Sequence, residues 1–250
     1  MSTSIRRVPA LSALALAGLL ALTGCGPAAT GAATSKASTT TTKAASKPAA
    51  DVLYKQARAS ALAASSVHLK GDMMSDGEHL MLDLAGTKAG DVTGSVGAGA
   101  EGTFELRRVG GAVYMRSTQE YWRKNAGAEV AQMIGNKYFK LPADAAKGMD
   151  DLTVTSLLKS MFEDKSMPAF AKLTTKVEAG TVNGQAAWVL SDRVGGDEAH
   201  LYIAADDTHH LLRVSMPTGK DKGTMDFTEW DAVQPIAAPT ASQIAKIPGM

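Results

Sequence analysis

The side chains in these 250 residues that could carry chemistry are few: one thiol, five histidines, two aspartate doublets and one glycine-spaced run. The run, Gly97-Ala98-Gly99-Ala100-Glu101-Gly102, has the spacing G-x-G-x-x-G. That spacing binds a dinucleotide only where it joins a strand to a helix, whose N-terminus then meets the pyrophosphate. Here strand patterns flank it on both sides, so it reads as a glycine-rich hairpin. The histidines are His68, His79, His200, His209 and His210. A zinc site needs convergent ligands, such as two histidines one helical turn apart. His209 and His210 are adjacent in or beside a strand, where successive side chains point to opposite faces, so they read as surface residues rather than metal ligands. Asp150-Asp151 and Asp206-Asp207 fall where turns or helix starts belong, which accounts for them without acid–base chemistry. With no Gly-x-Ser-x-Gly elbow and no thiol beyond Cys25, the chain does not read as an enzyme, and no residue set calls for a cofactor.

Cys25 closes the tetrapeptide Leu22-Thr23-Gly24-Cys25. Upstream lie Arg6-Arg7 and an uncharged apolar run over residues 8–22. A basic n-region, a short apolar h-region and small residues at the cut make residues 1–24 a secretory signal peptide. About 15 apolar residues are too few for a spanning helix, which needs about 20. A cysteine directly after Leu-Thr-Gly resembles the bacterial lipobox. That resemblance implies a lipoprotein: the leader is removed, the Cys25 thiol is acylated with palmitate-type chains, and the protein is lipid-anchored at the extracytoplasmic face of the cell membrane.

Residues 25–50 are nearly all Ala, Thr, Ser, Gly, Lys and Pro. Such a segment buries too little apolar surface to offset its ordering entropy, so it reads as a disordered tether. A single acyl chain binds membranes only marginally, so stable anchoring requires more than one. Residues 51–250 then form a single folded domain, large enough for a real core. Setting aside Arg6, Arg7, Lys36, Lys43 and Lys47 leaves 21 of the 26 basic side chains in it, against all 25 acids. A net charge of about −4 makes no electrostatic case for nucleic acid, which favours a basic face. With Cys25 acylated no disulfide can form, and the domain must hold by burial alone.

Helical spacing of Val52, Leu53, Ala57, Ala61, Leu62 and Ala64 predicts a helix of about 14 residues with Asp51 able to cap its start. The period then changes to two. Residues 67–73 and 80–84 alternate around an Asp76-Gly77 turn, the pattern of a hairpin. Residues 91–96, 103–109 and 113–115 complete a meander of about five strands. A less regular middle follows, with Tyr121-Trp122, a short helix over 128–134, an extended stretch over 137–141 and a helix over 152–162. Strand patterns return over 173–182, 186–191, 201–203, 212–216 and 224–230, and a proline-bearing tail follows as an irregular strap. Nine or ten strands would curl strongly in one sheet. The fold class is α+β, with the sheet wrapped part-way around the helices.

The lipobox, the tether, a helix leading into Ser65-Ser66-Val67-His68-Leu69-Lys70-Gly71, then Tyr121-Trp122, Lys137-Tyr138-Phe139-Lys140-Leu141-Pro142 and Val182-Asn183-Gly184-Gln185 resemble the actinobacterial LppX/LprA/LprF/LprG lipoproteins and, more distantly, the LolA/LolB-like fold. The likeness covers residues 51 to about 230. It implies a curved antiparallel half-barrel sheet packed against helices, with an apolar cavity between them for an acyl lipid or glycolipid, and no catalytic residues. Strand candidates for that cavity are Leu80, Leu82, Phe104, Leu106, Val113 and Met115 in the first half. Leu201, Ile203, Leu212, Val214 and Met216 are those in the second half, and Leu157 and Met161 lie on the helix between them. Methionine is also abundant, at 12 against five phenylalanines. It is over-used where an apolar surface must accept varied partners, which points to Met73, Met81, Met115, Met161, Met216 and Met225; ordinary core filling is the alternative. The competing reading is a lipid-anchored interaction or sensor module without a cavity, docking on an envelope protein. An exposed Trp122 in an apolar patch favours the module. Buried Trp122, Trp188 and Trp230 around a void favour the carrier.

Overall fold

The computed structural model describes residues 47–75, 77–99, 102–149, 152–163, 167–172 and 174–247. The expected leader, Cys25 and the expected tether as far as residue 46 lie outside these residues, as do Asp150 and Asp151. Helix α1 (Ala50–Ala63) carries the expected stripe, with Leu53, Tyr54, Ala57 and Ala61 buried. It differs from expectation at its start. The cap position is Ala49, without a side-chain hydrogen bond, and Asp51 sits in the first turn. There its carboxylate meets the positive end of the helix and pairs with Lys55 at 3.1 Å.

After α1 come β1 (Ser66–Ser75), β2 (Glu78–Thr87), β3 (Val92–Ala98), β4 (Gly102–Val109) and β5 (Ala112–Ser117), an antiparallel meander. Ala98 pairs with Gly102, so the glycine-spaced run joins two paired strands, as its flanking patterns require; Ala100 and Glu101 lie outside the described residues. The middle holds α2 (Gln119–Ala126), α3 (Ala128–Ile134), β6 (Phe139–Lys140), α4 (Ala143–Lys147) and α5 (Val154–Glu163), followed by a 3-10 turn over Met167–Ala171. The second meander is β7 (Lys176–Val182), β8 (Gln185–Val194), β9 (Asp197–Ala204), β10 (Leu211–Met216) and β11 (Gly223–Thr228). All eleven strands form one sheet, in the order β6-β5-β4-β3-β2-β1-β11-β10-β9-β8-β7. The two meanders meet where β1 pairs with β11, which sets Leu69 opposite Phe227 and Gly71 opposite Met225. The domain is thus α+β, a curled antiparallel half-barrel with helices across its concave face.

Packing of α1 and α5 builds the core on that face. Tyr54 meets Phe162 edge-on, with ring centroids 6.0 Å apart. On β2, Gly86 leaves room for the start of α5: a Cβ there would lie 2.4 Å from Val154 Cγ2. The sheet edge at β6 is covered by the C-terminal segment. Tyr138 donates its backbone N–H to Gln243 O and accepts from the Ala245 N–H, both at 2.8 Å. Covering an edge this way removes a template for unwanted strand pairing.

Helices α2 and α4 were not legible in the sequence. Only Trp122 of α2 is buried, so its apolar period is too short to read. Its start is local chemistry instead: Thr118 Oγ1 accepts from the Tyr121 N–H at 3.1 Å, and Gly127 at φ 88° ends it. The eleventh strand, β6, falls within the extended stretch expected over 137–141, and only its two residues pair with β5.

Candidate functional site

Burial along the concave face changes with position on the strands. Near the β1 start, Val67, Leu69, Leu84, Val92, Leu106, Leu190, Ile203, Leu211 and Phe227 are closed in, none more than 2% exposed. Towards the β1–β2 turn the same strands present Met73, Leu80, Leu82, Phe104, Val214, Met216 and Met225, all only half-buried. The helical layer covers the first end more fully, and an apolar trough is left at the other.

Within the trough lies a cavity of about 240 Å³. Met73, Met161, Val214, Met216, Met225 and Phe170 form its apolar wall, and Asp221 and Thr224 bring polar atoms to it. Met161 comes from α5 and Phe170 from the 3-10 turn, so the helical layer supplies one wall and the sheet the other.

The structure sorts the thirteen expected cavity residues. Met161, Val214 and Met216 line the cavity. Leu80, Leu82, Phe104 and Leu157 are half-buried against the core. Leu106, Val113, Met115, Leu201 and Ile203 sit inside the closed core. Leu212 is on the other side of the sheet, where it clusters with Val182, Ala187 and Ala204. A register shift between Leu211 and Arg213 breaks the two-residue alternation there, as a β-bulge does, and turns Leu212 outward. Four of the six methionines, Met73, Met161, Met216 and Met225, line the cavity. Met115 is core, and Met81, 44% exposed, follows the alternation of β2 to the convex face. Phe170 had no sequence signal, because no strand or helix period includes it.

Trp122 is 6% exposed, between Tyr121 at 5.3 Å and Phe139 at 5.8 Å. Trp188 and Trp230 are half-buried. The polar residues of the convex face are paired with one another. His68 Nε2 lies 2.7 Å from Asp83, His79 Nε2 lies 2.7 Å from Asp72, and Arg213 grips Asp226. Asp206 accepts from the Thr208 N–H at 3.0 Å, the turn role expected for it. No group of three or more His, Cys, Asp or Glu able to hold a metal ion occurs among the described residues.

One titrating contact has a measurable consequence. His210 stacks on Trp230 with centroids 5.0 Å apart, and burial pushes its imidazole below the ordinary 6.5 although Asp231 and Asp206 oppose this. Asp231 is held below the usual carboxylate range by the backbone and hydroxyl of Ser65. A lowered histidine favours folding fully above 6.5, and that contribution is lost as the pH falls below it, because the unfolded chain takes the proton first. A lowered aspartate loses its contribution only as the pH falls through the carboxylate range. Thermal stability is therefore expected to fall in two stages on acidification. His210→Phe, which keeps a ring on Trp230, should abolish the first stage and leave the second. Melting curves across the acid range check this, and an unchanged first stage would refute it.

No family model and no curated protein sequence matches the chain. Its architecture defines a class all the same, the half-barrel with an apolar trough on its concave side. The chain is similar in structure to LprF from Mycobacterium bovis, at a TM-score of 0.53 and 12% identity, over 78% of this chain and 100% of that one. It is also similar to the lipoprotein LppX from Mycobacterium tuberculosis, at a TM-score of 0.47 and 14% identity, over 75% of this chain and 98% of that one. The likeness to LprF establishes a shared fold, the one that the sequence resemblance implies.

Proposed function

We propose that this protein is an extracytoplasmic lipoprotein, anchored to the cell membrane through acyl groups on Cys25, that holds an acyl lipid or glycolipid in its concave trough. The supporting observation is the burial gradient: of the seven half-buried apolar side chains at the trough end, four, Met73, Val214, Met216 and Met225, line one methionine-rich cavity. Burying a methylene there is worth about 0.8 kcal/mol relative to water. Methionine walls adapt to a flexible chain without a fixed shape. Burial of Trp122 removes one of the two surfaces open to the competing interaction module, the Trp122 region, and leaves the outer face of the sheet.

The test is native mass spectrometry of the purified protein. Mass increments matching an acyl lipid, lost on extraction with organic solvent, are the expected result. A protein that flies at its bare mass after expression in a lipid-rich envelope, and takes up no added lipid, would overturn the reading.

A further inference from the structure

We infer that Gly71 sets the depth of the trough, with the terminal methyls of Met73 and Met225 as a movable plug above it, and so selects the length of the acyl chain bound. The inference rests on the lipid-holding role proposed above. Gly71 is buried on β1 and belongs to the concave-facing series Val67, Leu69, Gly71, Met73. In register it lies between Leu82 on β2 and Met225 on β11. A side chain at this position would point into the sheet's concave side, between the cavity and the closed core.

What fills that missing side chain decides the matter. A Cβ on Gly71 would meet Met73 Cε at 3.0 Å, Leu82 Cβ at 3.6 Å and Met225 Cε at 3.6 Å. Two of these three atoms are the far ends of thioether chains that also line the cavity. Methionine has three rotatable bonds and is the most adaptable apolar side chain, so both ends can swing aside together. The space they vacate is bounded further along the same face by Leu69 and Phe227, which pair with each other and are 1% and 2% exposed. Such a slot admits the tip of a single unbranched chain and excludes a branched or ring-bearing one. Gly223, the neighbouring glycine on β11, cannot serve in the same way. A Cβ there would lie 2.4 Å from Met73 Cα, so backbone closes that direction.

The experiment measures how saturated fatty acids of increasing length displace parinaric acid from the full protein. For the wild type, affinity should climb about fourfold per added methylene, the factor that corresponds to about 0.8 kcal/mol, and level off beyond a limiting length. Gly71→Val should move that limit about two carbons shorter, by the volume it adds to the slot. The Met73→Ala, Met225→Ala double variant should move it longer. Gly71→Ala, whose Cβ has only to displace the Met73 methyl, provides the same direction of shift where the valine variant fails to fold. Opposite shifts would not arise from a general weakening of the sheet. A limit that stays put in all variants overturns the inference while leaving lipid binding intact, whereas no saturable binding by the wild type defeats the lipid-holding role itself.

Discussion

Replacing Cys25 with Ser should leave the precursor uncleaved or release the protein from membranes. The residues upstream offer no alternative, since an apolar run of about 15 residues falls short of the roughly 20 that span a bilayer. No helix among the described residues is long and apolar enough to cross a membrane. Acyl chains contribute about 0.8 kcal/mol per buried methylene, so losing all of them shifts the partition by many orders of magnitude. The variant should accumulate as the uncleaved precursor or appear in the soluble fraction. Immunoblots of membrane and soluble fractions check this, with the precursor's mass as the internal marker. A variant that is processed and still sediments with membranes would refute acylation at Cys25.

Val214→Trp and Val113→Trp should have opposite consequences, although both valines face the concave side. Val214 lines the cavity, opposite Leu201 on β9 and Met225 on β11. An indole there has about 240 Å³ to enter, so the domain should stay folded and lose its lipid. Val113 is 0% exposed and sits in the closed core, opposite Arg108 on β4. Overpacking a closed site costs typically about 1–3 kcal/mol and forces neighbours off their rotamers. That variant should melt several degrees lower. Its lipid content per folded molecule should stay unchanged. Native mass spectrometry and thermal melts on the same samples separate the two effects. A Val214→Trp protein that keeps its full lipid complement would place the ligand elsewhere, and an equal loss of stability in both variants would remove the distinction between cavity and core.

Local pattern made several elements readable. The stripe Leu53, Ala57, Ala61 repeats at helical spacing, and α1 is a helix with those residues inside. Alternation over residues 67–73 and 80–84 marks a hairpin, and β1 pairs with β2 in the register this demands, Leu69 opposite Leu84 and Gly71 opposite Leu82. Methionine abundance pointed to adaptable apolar surface, and four of the six methionines named on that ground line the cavity. These signals are readable because they arise between residues a few positions apart, where side-chain direction follows directly from backbone period.

Other features depend on contacts between distant parts of the chain. The pairing of β1 with β11, which turns two meanders into one sheet, joins residues such as Leu69 and Phe227 that no local period relates. Leu212 follows the alternation of its neighbours in sequence, and only the bulge against β9 sends it to the convex face. Val113 and Val214 have the same residue type and the same pattern, yet one is core and the other cavity wall. What separates them is which part of the concave face the helical layer covers. By itself the sequence pointed to the class of the domain and to which strand faces are apolar. The tertiary structure alone decided where that apolar face is covered and where it is left open, because coverage is set by the lengths and placement of elements that meet only in the folded chain.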